Sequence, residues 1–206
     1  MKIVGIDEAG RGCIIGNLVM CAGLIDESDA PKLRNLGVKD SKLLSPKKRE
    51  RLAEILPHFM RYELLTITPK EIDSAVLSET TNLNWLEADG AVKLIHSLPS
   101  EKVVIDCPSP NTIAYAQYIK DKITCGINLV AEHKADVNYA VVAAASILAK
   151  VKRDQDIADL KEKIGIDFGS GYPSDPKTKS FLANNWQKHS ELFRQSWSPY
   201  RKISGK

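Results

Sequence analysis

The sequence lacks the features that mark a membrane protein or a domain stabilised by zinc or disulfides. No apolar run approaches the roughly 18 residues that a membrane-spanning helix needs, and the chain does not begin with a signal-peptide pattern. Cysteines at positions 13, 21, 107 and 125 are scattered, without a CxxC pair. These absences predict small buried cysteines in a reducing compartment, and therefore a cytoplasmic protein with no membrane partner.

Histidine and net charge are also scarce. The four histidines have no partners that indicate a zinc site or a serine triad, and the formal net charge of the 206 residues is only +3. Apolar residues make up 43% of the chain, enough for the core of one ordinary domain. The basic residues nevertheless cluster at 47–51, at 150–153 and at the C-terminal end. Such clusters indicate a polyanionic partner, although solvated helix faces produce the same pattern.

The opening residues hold the most informative pattern. An apolar run over residues 3–6 predicts a buried strand that ends in Asp7 and Glu8. The turn Gly10-Arg11-Gly12, here called the GRG turn, follows at once. Buried carboxylates are costly unless cations or hydrogen bonds compensate them, and a guanidinium suits phosphate. The same residues also fit a strand that simply surfaces into a polar turn.

The glycines of this stretch do not make a dinucleotide-binding site. Their spacing is GxGxxxG, and the dinucleotide fold requires a helix directly after the glycines. Residues 13–25 are instead apolar and β-branched, which predicts a second strand.

The remaining patterns predict an α/β fold. Three early strands with short connections indicate an antiparallel meander, and the later β-α-β alternation indicates parallel strands with helices packed on the sheet. A turn-rich connector separates a domain over residues 1–165 from a C-terminal segment over 166–206. Further strands are predicted at 61–68, 102–106 and 127–131, and helices at 46–56, from 69, and at 83–98, 111–122, 137–151 and 176–186.

Four acidic residues stand at the ends of predicted elements: Asp7, Glu8, Asp106 and Asp136. Oxygen ligands suit hard divalent cations, and a two-ion site can promote in-line displacement at phosphorus. Neighbouring residues of a regular strand face opposite sides, so Asp7 and Glu8 share a site only where their strand ends or twists. Metal-dependent phosphodiester chemistry on nucleic acid is our leading interpretation. A sugar hydrolase with two carboxylates stays open, as do plain capping roles for Asp106 and Asp136.

Several motifs, taken in order, resemble those of ribonuclease HII, particularly its archaeal form. The resemblance covers almost the whole chain, at 5–12, 39–45, 104–108, 134–137, 144–154 and 169–176. It implies a ribonuclease H-like α/β fold, a mixed five-stranded sheet flanked by helices, with a small C-terminal helical segment. It also implies an endonuclease that cuts the RNA strand of RNA–DNA hybrids. Cleavage 5′ of single ribonucleotides embedded in DNA, leaving 5′-phosphate and 3′-hydroxyl ends, follows from the same resemblance.

The resemblance assigns roles to particular residues. The family's metal ligands fall on the four acids Asp7, Glu8, Asp106 and Asp136, which would hold two Mg²⁺ or Mn²⁺ ions. The GRG turn, with Gly10, Arg11 and Gly12, would read the 2′-hydroxyl. Lys42 would hold backbone phosphate, Tyr172 would sense the RNA-to-DNA junction, and the basic C-terminal segment would grip the duplex. The expected partners are RNA–DNA hybrids and ribonucleotide-containing DNA, bound by a monomer. The sequence does not identify a recruiting partner such as a replication clamp.

Two details refine the match. The related ribonuclease HIII has a different glycine turn and an additional N-terminal domain, whereas this chain begins directly at its first strand, which favours HII. Many HII members have prolines where this chain has Cys13 and Asn17. Two alternatives remain, a duplex-binding module with an impaired metal site and another nuclease or transposase of the same fold. The intact set of four acids argues against the first, and a requirement for the 2′-hydroxyl would exclude the second.

Overall fold

A computed structural model describes residues 1–123 and 126–205, which form an α/β fold around a mixed five-stranded sheet in the order β3-β2-β1-β4-β5. The first three strands form the predicted antiparallel meander, and β4 and β5 run parallel to β1. The fold class predicted from the sequence is therefore confirmed. The strands are β1 (Lys2–Ala9), β2 (Leu18–Asp26), β3 (Arg61–Ile67), β4 (Lys102–Asp106) and β5 (Asn128–Glu132).

Nine helices longer than one 3₁₀ turn occur within these described residues, and most begin where the sequence predicts. Ser45 accepts a hydrogen bond from the Lys48 amide, and Thr68 and Glu71 form a capping box. The helices are α1 (Ala30–Asn35), α2 (Pro46–Ile55), α3 (Pro69–Val76), α4 (Leu83–Ser97), α5 (Thr112–Lys120), α6 (Ala135–Asn138), α7 (Ala140–Ile164), α8 (Pro176–Asn185) and α9 (Ser198–Ser204).

The sheet separates two apolar cores, and a third lies beneath the C-terminal segment. On one face, α7 packs over β1 and β2, and on the other face α4 and α5 pack over the sheet. Of the predicted buried cysteines, Cys13, Cys21 and Cys107 are buried, and Cys125 lies outside the described residues. No helix in the described part of the chain is long and apolar enough to cross a membrane.

The second strand begins later than predicted. Residues 13–17 form turns rather than strand, and pairing of β2 begins at Leu18. Ile14 and Ile15 are fully buried, but they pack in the third core with residues of the C-terminal segment. Their amides both donate to the Gly171 carbonyl. The apolar pattern correctly indicated burial, but it could not indicate which element buries these residues.

The helix after Asp136 also differs from the prediction. It is divided at Tyr139, whose backbone is extended, into the short α6 and the 25-residue α7. Asp136 is thus inside α6 rather than at the N-cap of a long helix. Val137, an apolar residue at the start of the predicted helix, is 62% exposed. The long helix also continues thirteen residues beyond the predicted end at 151, to Ile164, where Gly165 adopts a left-handed cap conformation at φ 69°.

Candidate active site

Two of the predicted acids lie side by side where the pairing between two neighbouring parallel strands ends. The β1–β4 register pairs Ile6 with Ile105, so Asp7 and Asp106 are the next residues on each strand. Asp7 is 5% exposed and faces the α7 side of the sheet, where Ser146 contacts it. Strand pairing therefore brings together two carboxylates that are separated by almost one hundred residues of sequence.

The third acid, Asp136, is connected to this pair through the backbone. The Ala135 amide donates a 3.0 Å hydrogen bond to Oδ1 of Asp106, which fixes the start of α6 against the end of β4. Lys134, just before, adopts a left-handed conformation with φ 60°. A lysine in this region is uncommon and costs free energy, so the surrounding contacts must hold the turn in place. This turn presents Asp136 at the same edge of the sheet.

Glu8 reaches the edge in a different way. β1 does not end at Asp7 and Glu8, as predicted, but continues to Ala9 in its pairing with β2. Its pairing with β4, however, stops at Ile6. Glu8 therefore lies on the opposite face from Asp7, half-buried, beyond the end of the neighbouring strand. The predicted strand end exists on one side of β1 only.

The electrostatics of this edge are those of crowded carboxylates. Burial, the largest cause, acts together with Asp106 and Asp136 to raise the pKa of Asp7 to about 7, against the opposing effect of Ser146. Burial, followed by Asp7 and Glu87, raises the pKa of Glu8 well above its ordinary value. The pKa of Asp136 is raised as well, by burial, Asp106 and Asp40, while Lys42 lowers it. Neighbouring carboxylates therefore make Asp7, Glu8 and Asp136 harder to ionise.

The carboxylates do not by themselves form a closed metal cage. Over residues 1–123 and 126–205, no three His, Cys, Asp or Glu side chains are gathered tightly enough to hold an ion. Asp7 instead accepts from the Glu8 amide at 2.7 Å, and Asp106 accepts from Ala135. The donor set still fits a hard divalent cation, because it is all oxygen and because positive charge would offset both burial and mutual repulsion.

The GRG turn lies directly after these acids and is held from two sides. The Arg11 guanidinium donates to both carboxylate oxygens of Glu87, at 3.0 and 3.1 Å, and to Asn84 at 2.7 Å. The buried Arg194 side chain donates to backbone carbonyls of the turn. Because the Arg11 side chain is hydrogen-bonded to α4, the turn can contact a ligand through its backbone groups.

Lys42 lies on the other side of the acids. Lys42 is exposed in a 3₁₀ turn, Ser41–Leu43, and its positive charge acts to lower the pKa of Asp136. Ser41 and Ser146 share a buried 3.0 Å hydrogen bond, and Arg49 donates to the carbonyls of Ser41 and Leu44. The lysine is thus carried by a turn that is fixed to α7 and α2.

Tyr172 lies beside the residues that follow the GRG turn. Its ring is half-buried, 5.0 Å from the Arg153 guanidinium, and burial together with Cys13 raises its pKa to about 12. Arg153 also donates to the Cys13 sulfur at 2.9 Å, and Asn17 donates to Asp156 at 3.2 Å. Cys13 and Asn17 are therefore both anchored to α7 by side-chain hydrogen bonds.

Sequence reasoning missed three buried charged residues that hold this edge together, Glu87, Arg153 and Arg194. A signal existed for two of them. Glu87 stands between Leu83 and Ala91 at four-residue spacing, and Arg153 stands between Ala149 and Ile157 in the same way. A charge within the apolar stripe of a helix predicts a buried ion pair or hydrogen-bond network. Arg194 lies outside any helix and has no such signal.

Comparisons with known proteins all point to one family. A family model described as ribonuclease HII matches residues 4–199. Ribonuclease HII of Thermococcus onnurineus is 44% identical over an alignment of 212 positions, which covers 100% of this chain and 91% of the relative.

Solved structures give the same result. Ribonuclease H2 from Pyrococcus horikoshii OT3 matches with a TM-score of 0.89 at 43% identity, over 100% of this chain and 98% of that chain. The PCNA:RNase HII complex from Archaeoglobus fulgidus matches at 0.86 and 40% identity, over 96% of each chain. Bst-RNase HIII in complex with Mn²⁺ shares the fold at 0.80, with 21% identity, over 100% of this chain and 70% of that chain.

Proposed function

We propose, on the premise that this chain belongs to the ribonuclease HII family, that it cuts DNA duplexes on the 5′ side of a single embedded ribonucleotide. Family membership makes the chain an endoribonuclease, a phosphodiester hydrolase that acts on RNA–DNA hybrids. The observation that carries the finer proposal is the continuity of β1 into the GRG turn. One short segment provides two acids and, directly after them, the backbone groups suited to reading a sugar.

In the proposed site, Asp7, Glu8, Asp106 and Asp136 would hold two divalent ions, Mg²⁺ or Mn²⁺. When bound, such ions supply Lewis acidity at phosphorus. Burial and neighbouring carboxylates raise the pKa values of Asp7, Glu8 and Asp136, so cations bound beside them would favour their ionised forms. Hydrolysis would leave 5′-phosphate and 3′-hydroxyl ends.

The substrate contacts in the proposal come from residues around the acids. Lys42 attracts a backbone phosphate from its exposed turn, and the GRG turn contacts the 2′-hydroxyl that distinguishes RNA from DNA. Tyr172 packs against the sugar at the RNA-to-DNA junction. The C-terminal segment, residues 166–206, adds salt-sensitive contacts to the duplex.

The test is cleavage of a labelled DNA duplex that contains one ribonucleotide, in Mg²⁺, Mn²⁺ or chelator, mapped to the nucleotide. We expect a metal-dependent cut just 5′ of the ribonucleotide and none in an all-DNA duplex. Asp7→Asn should lower the rate on the order of 10³-fold or more, because a metal ligand is removed, while duplex affinity is kept. Asp26→Asn, exposed at the far end of β2, is the matched control.

Other outcomes separate the alternatives. A cut only within longer RNA tracts would keep the endoribonuclease and remove the junction role of Tyr172. Tight binding with no cleavage in either metal would favour a duplex-binding module. Cleavage of all-DNA duplex would favour another nuclease of the same fold.

The proposal extends to location and assembly. We place the protein in the cytoplasm as a monomer, supported by its family and by the cysteine pattern. The Archaeoglobus fulgidus relative was crystallised with PCNA, so a sliding clamp is the recruiting partner we would test first. Co-elution of purified chain and clamp in size-exclusion chromatography would support it, and independent elution at monomer volume would argue against it.

A further inference from the structure

Arg194 is a buried cation that belongs to the C-terminal segment but binds the GRG turn. Its side chain is 0% exposed. Nη1 donates to the Arg11 carbonyl at 2.6 Å, Nη2 donates to the Gly10 carbonyl at 2.7 Å, and Nε and Nη2 both donate to the Gly16 carbonyl at 3.1 Å. One planar guanidinium therefore holds three backbone carbonyls across a sequence separation of 184 residues.

Backbone carbonyls, rather than a carboxylate in direct contact, bind this charge. Among the described residues, Arg194 has no carboxylate within 4 Å. Its guanidinium carbon lies 5.2 Å from the centre of the Trp197 ring, which covers one side. Burying a cation is expensive, so the carbonyls that compensate it must stay directed toward it. Arg194 thus constrains the orientation of the peptide groups in the turn.

The same constraint directs the amides of the turn. In a trans peptide the C=O and the following N–H point in opposite directions. When the carbonyls of Gly10 and Arg11 face Arg194, the N–H groups of Arg11 and Gly12 must face away from it. Neither amide donates to an acceptor within residues 1–123 and 126–205, and a Cβ placed on Gly12 would meet nothing within 4 Å. Both amides therefore face away from Arg194 and have no acceptor among the described residues, in a turn that directly follows Asp7 and Glu8.

The position of Arg194 is itself fixed by α3. The carboxylate of Asp73 accepts from the amides of Gln195 and Ser196, at 2.8 and 2.9 Å, and from the Ser196 hydroxyl at 2.6 Å. These bonds hold the residues directly after Arg194. Asp73 touches neither the GRG turn nor the acids, so it can be changed without altering the site itself.

We propose that Arg194 is a positioning residue for ribonucleotide recognition, which holds the GRG turn so that the Arg11 and Gly12 amides are aimed at the 2′-hydroxyl. The inference rests on the proposed function, in which this turn reads that hydroxyl. It gives the C-terminal segment a second role besides gripping the duplex. Discrimination between RNA and DNA then depends on a residue that never contacts the substrate.

The test measures a preference rather than an activity. In an Asp7→Asn background, which binds without cutting, fluorescence anisotropy gives the affinity for two duplexes that differ only in one 2′-hydroxyl. We expect Arg194→Lys to reduce the ribonucleotide preference about tenfold, the effect of removing one hydrogen bond, because an ammonium cannot span three carbonyls. Affinity for the all-DNA duplex should change little. Asp73→Asn should reduce the preference in the same direction but by less.

The controls separate the positioning role of Arg194 from the proposed function. Arg61→Lys, exposed at the beginning of β3, should leave the preference unchanged. No preference in the background protein with Arg194 intact would refute the reading of the 2′-hydroxyl, and therefore the proposed function. A preference retained in both Arg194→Lys and Asp73→Asn, or equal losses on both duplexes, would overturn the inference alone. Circular dichroism checks that each variant is folded. If Arg194→Lys does not fold, the inference is tested with Asp73→Asn.

Discussion

Asp7 is buried beside Ser146 and faces repulsion from Asp106 and Asp136, and this environment raises its pKa from an ordinary 3.8 to about 7. The cause is the cost of a carboxylate in a crowded, poorly hydrated place. The ionised form of Asp7, which the proposed cation site requires, is therefore disfavoured when no cation is bound. Local chemistry of this kind links the stability of the protein to pH and to divalent ions.

The sign of that linkage follows from the raised pKa. Between about pH 4 and pH 7 the folded protein binds more protons at Asp7 than the unfolded chain does, so this contribution to stability falls as pH rises through that window. In chelator, we expect the free energy of unfolding of Asp7→Asn, relative to that of the unmodified protein, to increase by on the order of 2 kcal/mol from pH 5 to pH 8. Thermal unfolding of both proteins across this range measures the difference.

Added Mg²⁺ should reduce that difference at pH 8, because it stabilises only the protein that retains the carboxylate. Asp26→Asn should track the unmodified protein at every pH. A difference between Asp7→Asn and the unmodified protein that stays constant from pH 5 to pH 8 would contradict the assignment.

At the scale of the elements, α7 packs closely on β1, and glycine makes this possible. A Cβ added at Gly5 would lie 2.6 Å from the Val142 nitrogen and 2.7 Å from the Val141 carbonyl carbon. These are backbone atoms of α7, which cannot move aside as a flexible side chain would. The close approach is also what places Ser146 next to Asp7. The packing of one helix on one strand therefore supports the acid site directly.

Substitution by alanine at two glycines of the same segment should have different effects, one on stability and the other on cleavage. We expect Gly5→Ala to lower stability by about 3 kcal/mol, or roughly 10 °C in Tm, because strand and helix must separate. Gly12→Ala should leave Tm nearly unchanged, since its Cβ meets nothing, but should weaken cleavage by placing a methyl group where the substrate approaches. Thermal unfolding and the single-ribonucleotide assay separate the two effects. Equal stability of the two variants would argue against the close packing.

At the scale of the whole molecule, the C-terminal segment packs against the connection between β1 and β2 and against α7. Ile15 pairs with Phe193, and the third core mixes Ile14 and Ile157 with aromatic residues of the segment. The segment also ends in exposed basic residues, in a chain whose formal net charge is only +3. Local charge rather than total charge must then attract a nucleic acid.

Salt dependence tests this distribution of charge. We expect the double substitution Arg201→Gln and Lys202→Gln to weaken duplex binding and to reduce the slope of log K against log salt by about 0.9 for each phosphate that is no longer neutralised. Lys120→Gln, at the end of α5 away from the acids, should leave the slope unchanged. Titrations at several salt concentrations measure both. An unaltered slope in the double variant would place the duplex elsewhere on the surface.

The sequence by itself determined the succession of strands and helices along the chain and most of their starting points. Apolar periodicity, capping residues and prolines act over a few neighbouring positions, so they can be read locally. The position of Asp106 at the end of a buried strand was visible for the same reason, whereas β1 continues past Asp7 to Ala9.

Only the tertiary structure decided what those elements meet. It divided the predicted helix at Tyr139, placed Ile14 and Ile15 under the C-terminal segment, and joined Arg11 to Glu87 and Gly10 to Arg194, 76 and 184 residues apart. An apolar or charged pattern shows that a residue is buried or must be compensated, but it carries no information about the partner. That choice depends on packing and strand pairing across the whole chain, which no local pattern contains.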